Sequence, residues 1–264
     1  MDLRSLAWRT DLALLRLGGS EVVDRGTHLV VRTPENPTFY WGNHLLLPHA
    51  PAAGEVEAWM HEFRRELPEA RHRTFGVDGA GGSADDLAPF VALGFDVEAS
   101  TVMTASARSV HEPARPNREA TYRPLRGDDD WGQQLALSLT GEDEKAHREF
   151  AVRRVRAHRA VTEAGHGQWF GAFLGDRLVS SMGLIDAGPG LARFQEVKTD
   201  PAARSRGLAG TLVHHVSRFG FDELGATTLV MVADPGYLAI RIYRSVGFED
   251  TETQLTAARV PASG

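Results

Sequence analysis

The chain has 264 residues, 42% of them hydrophobic and 24% charged, with a net charge of −6 and no cysteine. That length holds one large or two small domains of an ordinary soluble protein. The acidic balance argues against nucleic acid as the main partner and suits solubility or a cationic amine substrate. The missing cysteine excludes a disulfide framework, a thiolate nucleophile and a cysteine metal site.

The first half reads as an α/β unit. Leu3 to Leu17 has helical apolar spacing and stops at Gly18-Gly19. His28 to Arg32 and Thr38 to Leu47 read as strands, the second ended by Pro48. Gly54 to Glu66 reads as a helix with Val56, Trp59, Met60 and Phe63 on one face. Arg73 to Val77 reads as a strand, and Gly79, Gly81 and Gly82 as a loop. Ser83 caps a helix expected to reach Leu93, and Phe95 to Ala105 closes the unit as a strand. The start, Met1-Asp2-Leu3-Arg4, lacks a basic stretch followed by a long apolar core, and the apolar runs are too short for a bilayer. The expectation is a cytoplasmic protein without membrane contact. Abundant Ala, Arg and Gly suggests a bacterial, GC-rich source.

The stretch RSVHEPARPNRE (108–119) is polar, carries two prolines and shows no periodicity. It marks a linker at 109–119 between a first domain, 1–108, and a second, 120–264. The second opens with a strand, Tyr122-Arg123-Pro124-Leu125, and an acidic helix start at Asp128 to Asp130. Helices are expected to about Thr162. Trp169 to Leu174 and Leu178 to Ile185 read as a hairpin, and 191–199 as a strand. A helix follows from Leu208 to Leu224, then a strand (Thr227 to Val232), a helix (Tyr237 to Val246) and a strand (Phe248 to Leu255).

Between the strand at 191–199 and the helix at Leu208 lies Asp200-Pro201-Ala202-Ala203-Arg204-Ser205-Arg206-Gly207. A basic, glycine-containing turn from strand to helix is a phosphate-binding device, because free N–H groups and the helix dipole both point at the ligand. Gly207 permits close backbone approach, and Ala209 and Gly210 keep the first turn open. The spacing is neither G-x-x-x-x-G-K-[ST] nor G-x-G-x-x-G. It is R-x-x-G-x-A, which resembles the acyl-CoA pyrophosphate loop of the GNAT superfamily of N-acyltransferases.

Two more segments carry that resemblance in register. Tyr122 to Leu125 followed by Asp129 looks like the family's opening strand and acidic cap. Ala239-Ile240-Arg241-Ile242-Tyr243-Arg244-Ser245-Val246-Gly247-Phe248 looks like its A-x-x-x-Y-x-x-x-G-F close. The resemblance covers roughly 120–256. It departs at Gly236, where the family often carries an asparagine seven residues before the tyrosine. In the first half, Phe90 to Phe95 echoes Tyr243 to Phe248 without a tyrosine or a basic loop. This resembles the tandem arrangement of mycothiol synthase and related bacterial enzymes, with a first domain that has lost its cofactor site. An unrelated α/β domain is the alternative. The implied fold class is α/β (α+β): a mixed central sheet with helices on both faces, twice in tandem.

The resemblance implies acetyl-CoA as cosubstrate, held by Arg204, Ser205, Arg206, Gly207, Leu208, Ala209 and Gly210. It implies pantetheine paired along the strand at Val197 and Thr199, and Tyr243 as general acid for the CoA thiolate. Tyr243 as a packing residue beside Ile240 and Ile242 is the alternative. Glu196, on the same strand, is the candidate base, although strand alternation can turn it away from the substrate. A first-domain carboxylate or a water chain is the alternative. No metal is expected: His214 and His215 are adjacent on a helix and diverge, and Met60-His61-Glu62 starts no H-E-x-x-H because Arg65 stands in the last place. Phe39-Tyr40-Trp41 reads as strand core, with a substrate-cleft lining as the alternative. The expected activity is acetylation of a primary amine of a small molecule by a monomer or homodimer. Protein or longer-chain acylation, and a non-catalytic acyl-CoA-binding protein, are the competing readings.

Overall fold

The computed structural model describes residues 1–140, 144–237 and 239–260, with the backbone alone for 144–147. Leu238, within the helix expected from Tyr237, and residues 261–264 of the second sequence domain lie outside the described residues. Two compact units result. The first comprises Met1–Met103, Val232–Gly236 and the chain from Asp250 on. The second comprises Thr104–Met231 and Tyr237–Glu249. The chain from Asp250 thus counts with the first half, and the stretch 109–119 counts with the second unit.

The first unit contains α1 (Leu6–Leu17), β1 (Glu21–Asp24), β2 (Leu29–Arg32), β3 (His44–Leu47), α2 (Val56–Glu66), β4 (Arg73–Val77), α3 (Ala88–Val91) and most of β5 (Asp96–Ala105) and β11 (Glu249–Arg259). Its strands run in the order β1-β2-β3-β4-β11-β5. β11 pairs antiparallel with β4 from Leu255 opposite Val77 to Arg259 opposite Arg73, and these ladder bonds tie the end of the chain to this unit. Phe63, Phe75 and Phe90 are fully buried in its core, with Phe75 and Phe90 ring centroids 5.0 Å apart. Burying each ring contributes roughly 1.5–3 kcal/mol. The N-terminus of α1 is satisfied from outside itself: Glu252 accepts from Leu6 N at 2.9 Å, and Asp78 accepts from Ser5 N at 3.0 Å.

The long strand expected over 38–47 is a correction. Tyr40–Gly42 forms a 3₁₀ turn, and only His44–Leu47 is strand. Asn43 enforces the turn: its Nδ2 donates to Asn36 O and Phe39 O, and its Oδ1 accepts from Thr33 N. Tyr40 is consequently exposed and is not strand core. β1, which the sequence reading passed over, is a four-residue strand with both outer residues exposed.

The second unit contains β6 (Thr121–Pro124), α4 (Gly127–Leu139), α5 (Glu144–Glu163), β7 (Gly167–Leu174), β8 (Arg177–Asp186), β9 (Leu191–Thr199), α6 (Leu208–Asp222), most of β10 (Thr228–Ala233) and α7 (Ala239–Arg244). The strand order is β10-β9-β8-β7-β6. β9 and β10 are parallel; β6 to β9 pair antiparallel in succession. Alternation on β7 shows the layers. Trp169 stacks on His158 of α5 and meets Trp131 of α4, while its neighbour Phe170 packs edge-on against Phe219 of α6. Helices therefore cover both faces. Asp130 of α4 makes a two-pronged ion pair with Arg123 of β6, and that hydrogen-bonded guanidinium holds its carboxyl below the usual carboxylate range. This accounts for Asp130 after the opening strand; Asp129, expected as the acidic cap, is exposed and makes no cap bond.

Candidate active site

β9 is broken in the middle. Ser181 faces Lys198 and Gly183 faces Gln195, so the single residue Met182 stands opposite both Glu196 and Val197. This is a β-bulge, and Glu196 sits in it at φ 47°, a left-handed conformation unusual for a non-glycine residue. The bulge interrupts the alternation that made the direction of Glu196 ambiguous. Its side chain lines a cleft of about 1130 Å³.

The far end of that cleft is the turn after β9. Asp200 caps the short turn Pro201–Ala203 by accepting from Ala202 N at 2.9 Å. Ser205 at φ 61° and Gly207 at φ 76° then reverse the chain into α6. No acidic residue stands in the first turn of α6. Among the described residues, the N–H groups of Ser205 to Gly210 have no protein acceptor. Successive N–H groups left open at a helix start form an anion cradle.

Of the residues expected to hold the cofactor, all but Arg206 line this one cleft: Val197 and Thr199 on β9, Arg204 and Ser205 in the turn, and Gly207 to Gly210 entering α6. Arg206 turns instead to an ion pair with Glu119. The stretch expected to be a linker supplies that partner. Asn117 N donates to Thr211 Oγ1 at 2.8 Å, and Asn117 Nδ2 donates to Arg206 O at 3.0 Å. A Cβ on Gly207 would lie 2.4 Å from Arg115 O. Residues 113–119 are therefore a strap fastened to the loop, and Gly207 is required by the strap as well as by its own dihedral.

Tyr243 is buried at 6% exposure on α7, and burial, assisted by Tyr237, pushes its hydroxyl up to about 12. It keeps its proton across neutral pH. Its neighbours Arg241, Ile242 and Ser245 line the cleft, as does Tyr237, which is 59% exposed; Tyr243 is not among the lining residues. The glycine of the closing motif has a local reason. Gly247 has φ 101°, and a Cβ there would lie 2.0 Å from Ser109 O.

Several lining residues escaped the sequence reading. Arg154 of α5 forms an ion pair with Glu196, and His158 Nε2 lies 3.2 Å from the same oxygen, Oε1. Burial alone would raise the Glu196 carboxyl; His158 and Arg154 outweigh it and hold it below the usual range. Arg154 and His158 stand four apart, one helical turn, but nothing in the sequence says which carboxylate they meet. Gln134 of α4 also lines the cleft; it is 2% exposed and its Oε1 has no partner. His214 and His215 fall on α6. His215 packs against Tyr122 and Phe170, and burial lowers both imidazoles. Among the described residues, no three His, Asp or Glu side chains are placed to hold a metal ion. None of the described helices is long and apolar enough to cross a membrane.

A bulged strand leading to an open, basic helix start defines a cleft suited to an anionic, phosphate-like ligand. The description "Acetyltransferase (GNAT) family" matches residues 134–248, and the chain thus carries a GNAT acetyltransferase domain. It is an enzyme of the N-acetyltransferase class. No curated protein matches the chain. Among solved structures, it is similar to a functionally unknown conserved protein from Staphylococcus epidermidis ATCC 12228, with TM-score 0.74 and 12% identity over 90% of this chain and 92% of that one. A GCN5-related N-acetyltransferase from Kribbella flavida has TM-score 0.66 and 16% identity over 98% of each chain. A tandem GNAT protein from the clavulanic acid biosynthesis pathway has TM-score 0.57 and 15% identity over 96% of this chain and 89% of that one. The fold likeness thus extends over both halves.

Proposed function

We propose that the second unit binds acetyl-CoA in the cleft and acetylates a primary amine of a small molecule, in a bacterial cytoplasmic enzyme that is a monomer or homodimer. The observation that carries this reading is the joining, in one cleft, of the open N–H groups at Ser205 to Gly210 with the bulge at Glu196 and Val197. The residues suit the cosubstrate. Six consecutive N–H groups without acceptors, beside Arg204, match a diphosphate. The bulge leaves backbone groups of β9 outside the ladder for the pantetheine amides and the thioester carbonyl. When bound, acetyl-CoA supplies an activated acetyl thioester.

The remaining work falls to this chain. Glu196, ionised and fixed, meets the acceptor amine at the bulge and takes the proton that the nitrogen loses as it attacks the thioester carbonyl. The C–S bond breaks, Tyr243 gives its proton to the departing thiolate, and solvent water carries the net proton away and restores the tyrosine. Tyr237 is the second candidate for that role, because it is exposed on the cleft wall. Residues 120 to 249 carry this chemistry, and 1–108 has no comparable loop.

Release of free CoA thiol across a panel of primary amines tests the reading, with CoA affinity measured by calorimetry. Turnover with at least one amine and saturable CoA binding are expected. CoA binding without turnover of any amine favours the non-catalytic reading, and absence of CoA binding overturns the assignment.

A further inference from the structure

The part of the cleft around the bulge contains a matched pair of charges. Glu196 and Arg154 both line it and are ion-paired to each other. The Arg154 side chain is 47% exposed, so it is not committed to the interior. Its guanidinium also lies over the exposed ring of Phe150, 5.5 Å from the centroid. Glu196 is 21% exposed and has a second holder: His158, stacked on the fully buried Trp169 with ring centroids 4.1 Å apart and planes 15° from parallel. Arg154 Nε and His158 Nε2 both make their closest approach to Oε1, an oxygen sealed from solvent. Lys198, the other cation beside the bulge, is engaged through Nζ with Ser138 O at 2.6 Å.

An internal ion pair on a binding wall is neutral as a whole. A lone ammonium there must compete with Arg154 for Glu196 and leaves the guanidinium without its partner. A ligand with an ammonium and a carboxylate avoids that loss: it opens the pair and satisfies both halves. His158, seated on Trp169, keeps Glu196 in place while Arg154 turns. The neighbouring wall is apolar, with Phe150, Ala151 and Val155.

We propose that Arg154 and Glu196 form a zwitterion-recognition site, so that the acceptor is an α-amino acid with an apolar side chain. Its ammonium meets Glu196, its carboxylate meets Arg154, and His158 is a positioning residue for Glu196. This rests on the acetyltransferase reading of the same cleft.

Three probes of one shape test it by calorimetry on CoA-saturated protein: L-phenylalanine, 2-phenylethylamine, which lacks the carboxylate, and 3-phenylpropionate, which lacks the ammonium. The wild type is expected to prefer L-phenylalanine over each by about tenfold or more, the equivalent of one charge-assisted hydrogen bond. Arg154→Gln should erase the preference over 2-phenylethylamine only. Glu196→Gln should erase the preference over 3-phenylpropionate only, and Arg154→Lys should restore part of the first. His158→Phe, which keeps a ring stacked on Trp169, should weaken L-phenylalanine and 2-phenylethylamine together with little change in melting temperature, whereas a merely structural role predicts normal binding in that variant. Equal binding of the three probes, no saturable binding of L-phenylalanine, or preferences unchanged in the variants overturns the proposal. CoA saturation, measured first, separates these outcomes from failure of the acetyltransferase reading.

Discussion

The two units place different chemistry at comparable helix starts. In the first, Ser83 and Asp86 form a capping box before α3, with Ser83 N donating to Asp86 Oδ2 at 2.8 Å, and Asp85 adds a second negative charge. That start is internally satisfied and repels anions. In the second, α6 begins from the left-handed Gly207 with no acidic residue in its first turn and, among the described residues, with its N–H groups open. The strands differ in the same sense. β4 pairs with β3 and β11 in unbroken register, whereas β9 is bulged. Phe90, in the place of a tyrosine, is core. An open anion cradle on this fold thus depends on polar groups left unpaired, and the first unit pairs its own.

The strongest way to break this contrast is to close the second site. Ala209→Glu places a carboxylate in the open first turn of α6 and should weaken CoA binding by on the order of a hundredfold or more. Asp86→Ala in the first unit should leave CoA affinity unchanged and cost about 1 kcal/mol of stability through the lost cap. Calorimetry and denaturant melts on both variants check the pair. Gly207→Glu is less clean, because any Cβ there also strikes the strap at Arg115 O.

Tyr243→Phe sharpens the contrast by making the second unit match Phe90 of the first. Turnover should fall on the order of 10²–10⁴ with the Michaelis constant for acetyl-CoA little changed. Near-normal turnover, with loss in Tyr237→Phe instead, would move the proton donor to Tyr237. The buried hydroxyl also has an alkaline signature. Its folded pKa of about 12 lies above the ordinary 10, so its contribution to stability is full below pH 10 and is lost as the pH rises towards 12. Tyr243→Phe should flatten that part of the stability curve in alkaline melts.

The smallest expected effect compares two glycines under tryptophans. A Cβ on Gly76 would lie 2.3 Å from the Trp8 ring, and one on Gly183 would lie 2.4 Å from the Trp169 ring. Alanine at either position should cost about 1–3 kcal/mol through overpacking. Only Gly183→Ala should also change acceptor kinetics, because Trp169 carries His158. Equal kinetic effects from both variants would dissolve the distinction.

Much of this was legible in the chain. Arg73–Val77 and Leu191–Thr199 match the expected strands, because apolar runs between strong turn signals leave little choice. The expected α6 helix appears as Leu208–Asp222, and the expected α7 helix shortens to Ala239–Arg244. The turn at Tyr40–Gly42 was hidden because it depends on Asn43 reaching Asn36 and Thr33, contacts that periodicity does not encode.

Local chemistry by itself determined the α/β class, the strand–loop–helix at 199–210 and the closing Gly247-Phe248, because each depends on dihedrals and periodicities within a dozen residues. The tertiary structure alone decided the rest. It turned the stretch at 113–119 into a strap, bulged β9 so that Glu196 lines the cleft, brought Arg154 and His158 onto that carboxylate and buried Tyr243. Those features join residues tens of positions apart, and only the paired strands and packed helices bring such residues within hydrogen-bonding distance.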